Sequence, residues 1–294
     1  MSMGAETRPP IRILVRGSST VSWIANVEPG RVAHAYPREL ETAMHLDGWP
    51  TQVRVESPLA ASSRHILRDA DADIFAWDPD VIIMNTGHME NLHLLLPIPF
   101  ARHVFTRTAR PGRWRQLYRR RVLWLFYSVA TRIQARLEPA LGPWLFGRRR
   151  KAILAHLNQY IDIASRNGHP LVIVMGFVPP STPPHTFPGV AARLEIMNEA
   201  FRELVAQRAQ PEVIWFDPAD ALASGGVEAV SAIGDGIHFI PAAHVAVGKG
   251  LAAVVEAWAA HQRPGLSGSA GRAQLEQEHD VIDAENRPRG VVNE

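Results

Sequence analysis

Ile11-Arg12-Ile13-Leu14-Val15-Arg16-Gly17-Ser18-Ser19-Thr20 is the stretch on which the fold turns. Ile11 to Val15 is a short β-branched and aliphatic run, and Gly17 with three hydroxyl residues behind it reads as a buried strand ending in a tight turn. The pattern recurs along the chain. Thr51 to Val55 is a second strand with alternating character, Val81-Ile82-Ile83-Met84 a third that ends in Asn85-Thr86-Gly87, Leu171 to Met175 a fourth and Val213 to Phe216 a fifth. Helical spacing separates them. Val21 to Leu46 is expected to be helical in part, with Pro29-Gly30 and Pro37 as interruptions, and Ser62 to Phe75 to form a helix ended by Asp78-Pro79-Asp80. Ala152 to Asn167 ends at Gly168-His169-Pro170, and Ala191 to Gln207 and Ala242 to Ala260 supply two more helices. Continuous apolar strands alternating with helices imply a parallel sheet covered on both faces. The expected class is α/β, a three-layer sandwich around a central, mostly parallel sheet of about five strands.

The chain has 294 residues, 46% hydrophobic and 20% charged, so it can bury a substantial core, and a disordered or fibrous chain is excluded. The absence of cysteine removes disulfides, thiolate metal ligands and cysteine nucleophiles together, while 13 histidines leave a histidine metal site open. A formal charge of +2 is too small to argue for nucleic acid. Its distribution says more: Arg102 to Lys151 holds fourteen Arg or Lys and one acid, Glu138, a local charge of +13 against −11 for the remainder. No apolar run approaches the ~20 residues of a membrane span, the longest being Val122 to Ala130, interrupted by Ser128. Met1 to Pro10 is polar and lacks the features of a secretion signal, so a cytoplasmic location is expected. The organisation expected is a flexible N-terminus over 1–10, a single domain over 11–261 with a basic helical insertion at about 92–151, and a disordered tail over 262–294, where Gly, Ser, Glu, Gln and Arg replace any periodicity.

In such a sheet ligands gather at the carboxyl ends of the strands, where loops and helix N-termini converge. Ser19 lies at one of these ends, where a hydroxyl is exposed and backbone N–H groups point at a bound oxyanion, a placement that suits a nucleophile. The plainer reading is a helix N-cap, a job that Ser18 or Thr20 could share. Asp235 and His238 sit three apart in a Gly-flanked loop ahead of the last helix, a spacing that lets a carboxylate hold one imidazole nitrogen while the other stays free. A serine needs such a base because an unassisted hydroxyl is barely nucleophilic at neutral pH. Alone, that pair could equally be a surface turn with a capping Asp and an incidental His.

Together, the Gly-Ser-Ser after the first strand, Pro79 to Glu90 around the third, and Asp235-Gly236-Ile237-His238-Phe239 before the last helix resemble blocks of the SGNH (GDSL-type) hydrolase family. The resemblance covers roughly Ile11 to Asn91 and Leu171 to Ala260 and implies a flavodoxin-like sandwich. It further implies Ser19 as nucleophile and oxyanion donor, His238 as general base and Asp235 as its orienting carboxylate, with no metal or organic cofactor. This chain departs from the pattern in three places. Ser18 stands where the family has Asp, Ala60 where a glycine normally donates its N–H, and Met89 where the family has an oxyanion asparagine. A thioether donates nothing, and one lost oxyanion donor typically costs about 10²–10³ in turnover. Replacement donors are sought in Asn91, Asn85 and His88, of which Asn85 reads rather as a strand-end structural amide, and Gly87 joins Ala60 among the oxyanion or substrate-binding positions.

The basic segment interleaves arginines with Trp114, Tyr118, Trp144 and Phe146. It leaves the sheet at the rim that carries the site, so it could form a lid or a wall of the pocket, and it suits an anionic lipid surface or an acidic substrate. Against this stands a helical cap whose aromatics pack on the core and whose arginines are merely solvated. Nucleic acid ranks below both, because the segment interrupts an apparent catalytic fold. The function expected is a serine ester hydrolase, esterase, lipase or deacylase, working through an acyl-enzyme on a small-molecule, lipid or carbohydrate ester, with acyl transfer as a variant. The alternative is a catalytically weak or inactive protein of the same fold that binds anionic lipid or another anionic partner through its arginines.

Overall fold

The computed structural model describes residues 9–23, 25, 34–58, 61–92, 94–97, 100, 103, 112–181, 187 and 189–262. Residues 1–8 of the expected flexible N-terminus and 263–294 of the expected tail lie outside the described residues, as do Pro29-Gly30 and Ala60. Five strands, β1 (Ile11–Gly17), β2 (Thr51–Glu56), β3 (Val81–Asn85), β4 (Leu171–Met175) and β5 (Val213–Phe216), form one sheet in the order β2-β1-β3-β4-β5, with every neighbouring pair parallel. Order and direction follow from the runs themselves. Strands apolar on both faces must be covered twice, and parallel strands need crossover helices to connect them.

Period-2 alternation splits β1, β3, β4 and β5 between two cores, while the edge strand β2 buries one face and exposes Gln52 and Arg54 on the other. Ile13, Val15, Ile83, Ile173 and Met175 face α2 (Tyr36–Leu46) and α11 (Pro241–Gln262), which bury Leu40, Met44, Val247, Leu251 and Val255. Leu14, Ile82, Met84, Val172 and Val174 face α3 (Ser63–Arg68), α4 (Ala70–Phe75), α7 (Trp124–Ser165) and α8 (Val190–Arg208) through Ile66, Ile74, Leu157, Tyr160, Leu194 and Phe201. Each fully buried Leu or Ile of this kind stabilises the fold by about 1.5–3 kcal/mol before chain entropy is charged against it. Arg16 is the exception on β1, and it pairs at 2.7 Å with Asp73 of α4. Burial outweighs the help of Arg16 and Tyr160 there and pushes the Asp73 carboxyl up to about 6.

Three boundaries differ from the sequence reading. Pro37 does not interrupt α2 but opens it, in the first turn where a missing N–H costs nothing. The helix expected over Ser62 to Phe75 is two helices, parted at Asp69. The helix expected from Ala152 starts far upstream: α7 runs unbroken from Trp124 to Ser165, with Pro139 and Pro143 inside it, and is led by α6 (Arg113–Tyr118) and a π-helical turn, Arg119–Leu123. Three short helices complete the set among those used below: α1 (Ser19–Ser22), α5 (His88–Leu92) and α9 (Pro218–Ser224).

Candidate active site

The site is built where β1 and β3 end side by side, Gly17 paired with Asn85. A Cβ on Gly17 would overlap the Val21 side chain and stand 2.7 Å from the Asn85 carbonyl oxygen, so only glycine lets the chain turn this closely against β3. Ser19 opens α1 immediately after that turn, which leaves its backbone N–H among the first-turn donors that no helical carbonyl can reach. Ser18 occupies the N-cap position but its side chain caps nothing, and the Thr20 hydroxyl donates to Asn85 Oδ1 at 2.8 Å. Asn85 is thus the strand-end brace its position suggests.

Ser19 Oγ lies 3.1 Å from His238 Nε2, and His238 Nδ1 lies 2.7 Å from Asp235 Oδ2. Two residues 219 positions apart in the chain therefore meet within hydrogen-bond reach. The other carboxylate oxygen of Asp235 accepts the backbone N–H groups of Ile237 at 3.0 Å and His238 at 2.7 Å, which fixes the carboxylate beneath the ring. Burial alone would raise the Asp235 pKa, but the bond and charge of His238 and these two N–H groups hold it below the usual carboxylate range. A short Ile233–Phe239 bridge and the Ala25 N–H donating to the Phe239 carbonyl at 2.8 Å pin the loop.

Two supporting residues left no signal in the sequence. Trp23 stacks on the His238 ring at 5.8 Å between centroids. His244, fully buried, accepts the Tyr36 N–H on Nδ1 at 3.0 Å and lies 3.1 Å from the Trp23 carbonyl through Nε2, so it is a neutral Nε2–H tautomer that tethers Trp23. Burial pushes its pKa down to about 4. Both contacts join segments more than 200 residues apart, and no local spacing announces them.

The Pro79–Glu90 stretch, the third block of the resemblance after those at Ser19 and Ala60, runs into α5, and the side chains there divide. Met89 is buried in the core shared with α7 and α8. The Glu90 carboxylate accepts the Ser63 N–H at 2.6 Å at the start of α3, so it braces the second block against the third. Asn91, expected among the replacement donors, spends its amide on the Gly87 carbonyl at 2.8 Å and is fully buried. That leaves it as a brace of the turn, in which Gly87 takes φ +93°. His88 is different: it is 6% exposed, and neither ring nitrogen has a partner. Its ring packs on Phe177 at 5.5 Å, and burial, followed by the nearby charge of His238, holds its pKa down at about 3, so the ring is neutral and carries one N–H.

In its described part the basic segment, with the helix that continues it, packs against the elements that carry the site. Arg149 donates to the Glu90 carbonyl at 2.9 Å and the Leu94 carbonyl at 2.8 Å, and Ile153 packs where a Gly87 side chain would go. A separate groove of about 400 Å³ between α7 and α8, lined by residues such as Leu94, Phe146 and Ile196, contains none of Ser19, Asp235 and His238. Among the described residues no group of three or more His, Asp or Glu converges as a metal site would, and no helix is long and apolar enough to cross a membrane.

No family model matches the chain, and no curated protein matches it in sequence. Solved structures match it in fold. One, assigned to the G-D-S-L family of lipolytic proteins and from Desulfitobacterium hafniense DCB-2, superposes with a TM-score of 0.51 at 13% identity, covering 83% of this chain and 99% of that one. Another, assigned as an acylhydrolase and from Bacteroides fragilis NCTC 9343, gives 0.50 at 10% identity over 86% of this chain and 91% of that one. At such identities the likeness is one of architecture.

Proposed function

The chain carries the SGNH (GDSL-type) hydrolase fold, and we propose from its site that it is a serine ester hydrolase that works through an acyl-enzyme on Ser19. The observation that carries the reading is the hydrogen-bonded chain Ser19–His238–Asp235 at 3.1 and 2.7 Å. In this mechanism Ser19 Oγ attacks the ester carbonyl carbon while His238 Nε2 takes its proton. Asp235 holds Nδ1–H and stabilises the imidazolium. The tetrahedral oxyanion accepts the Ser19 backbone N–H and an N–H of His88, whose ring nitrogens have no other partner and which takes the place of the amide that Met89 lacks. His238 then returns its proton to the leaving alcohol. Water, activated by the same imidazole, releases the acid, and an alcohol in its place gives acyl transfer. Ala60, outside the described residues, and Gly87 are proposed as further backbone donors. No step calls for a metal or an organic cofactor.

A fluorophosphonate probe tests the reading. Folded wild-type protein takes up one equivalent at Ser19, and Ser19→Ala takes up none. A folded wild type that resists labelling refutes it and favours the catalytically inert binding protein.

A further inference from the structure

Helix α7 buries one face and exposes another that is apolar. Tyr127, Thr131, Gln134, Gly142 and Phe146 are buried against the body. On the far side Phe126, Val129, Ile133, Leu137, Leu141 and Trp144 follow one another at intervals of three, four, four, four and three residues, a single stripe at 3.6 residues per turn. All six stand 43–64% exposed, over an axial length of about 27 Å. Folding therefore leaves bare a contiguous row of large apolar side chains, which soluble surfaces seldom tolerate without an occupant.

Charge identifies the occupant. Arg132, Arg136 and Arg148 are exposed along this half of the helix, and the Arg148 guanidinium sits 5.0 Å over the Trp144 ring. The lone acid of the segment, Glu138, is turned inward and paired with Arg193 of α8. The outer face is thus apolar and cationic with no anion of its own. A second copy of the chain would set arginine against arginine, and a nucleic acid would engage the arginines but leave the apolar row in water. A bilayer with anionic headgroups satisfies both: acyl chains accept the stripe while phosphates meet the flanking guanidinium groups. We propose that the outer face of α7 from Phe126 to Trp144 docks the protein, lying flat, on an anionic lipid surface. The proposal does not depend on the chemistry assigned to Ser19.

Full-length protein is sedimented with phosphatidylcholine vesicles, with or without about one third phosphatidylglycerol, at about 0.1 M and about 0.5 M salt. Wild type binds the anionic vesicles at least about tenfold more tightly than the neutral ones and is released by salt. The combined Phe126→Ser, Ile133→Ser, Leu137→Ser variant and the combined Arg132→Gln, Arg136→Gln, Arg148→Gln variant each lose about tenfold or more, with thermal melts unchanged because the side chains replaced are exposed. Failure of the folded wild type to bind, equal binding to neutral vesicles, or binding that survives the serine changes overturns the proposal. So does a concentration-dependent dimer abolished by the serine variant in the absence of lipid binding.

Discussion

His88→Leu separates activity from stability in a way that only a donor role for His88 explains. The imidazole is 6% exposed with both nitrogens unpartnered, and a buried polar group left unmet costs about 1–3 kcal/mol. Leucine removes that cost while keeping an apolar contact to Phe177, so unfolding in urea should show unchanged or increased stability, each kcal/mol gained raising Tm by about 2–4 °C for a chain of this size. Turnover should move the other way. Loss of one oxyanion donor lowers kcat by about 10²–10³, equivalent to about 2.7–4 kcal/mol, and leaves KM nearly unchanged because the bond forms only as charge develops on the carbonyl oxygen. The assay is hydrolysis of a short-chain p-nitrophenyl ester, with kcat and KM measured separately, alongside the urea melt. His88→Gln, which keeps an N–H in the same place, should recover part of the loss. If His88→Leu retains kcat within about threefold, less than 1 kcal/mol, the oxyanion assignment is wrong whatever the melt shows.

The pH profile gives a second check. His88 is held neutral down to about 3 by burial and Asp235 is held ionised below the usual carboxylate range, so neither changes charge through the neutral and mildly acidic range. The kcat/KM profile of His88→Leu should therefore keep the wild-type shape at a lower height, and an inflection lost with the imidazole would mean that His88 itself titrates. Gly17→Ala should behave unlike His88→Leu: a methyl pressed against the Asn85 carbonyl must part β1 from β3, lowering stability by about 1–3 kcal/mol and turnover along with it. An active variant of full stability, measured by the same two assays, would show that the turn has room to spare.

Much of this architecture was legible because buried parallel strands advertise themselves as unbroken apolar runs, and Val213 to Phe216 and Leu171 to Met175 end where the sequence pattern ends. Ser19, Asp235 and His238 were nominated by their place at strand and helix ends, not by any local motif strong enough to stand alone. What stayed hidden had physical reasons. A helix that exposes an apolar stripe and buries Thr131, Gln134 and Gly142 loses the contrast that periodicity relies on, and Pro139 and Pro143 mimic breaks, so α7 read as a basic helical insertion followed by a separate helix from Ala152. Helix α9 went unread although Asp217-Pro218 is a sound opening, with the Asp217 carboxylate accepting the Ala219 N–H at 3.0 Å. Choosing His88 over Asn91 required knowing where each amide and imidazole finds a partner, which depends on the turn at Gly87 rather than on spacing.

The distance along the polypeptide between the hydroxyl and its imidazole has a temporal side. A ribosome delivers His238 219 residues after Ser19, with α11 and the residues beyond it still to come. An unfinished chain, or one clipped anywhere between them and separated, holds a hydroxyl with no base to ionise it. Under the proposed chemistry, competence to react thus arrives in one step, when the loop ahead of α11 seats His238 against the turn at Ser19.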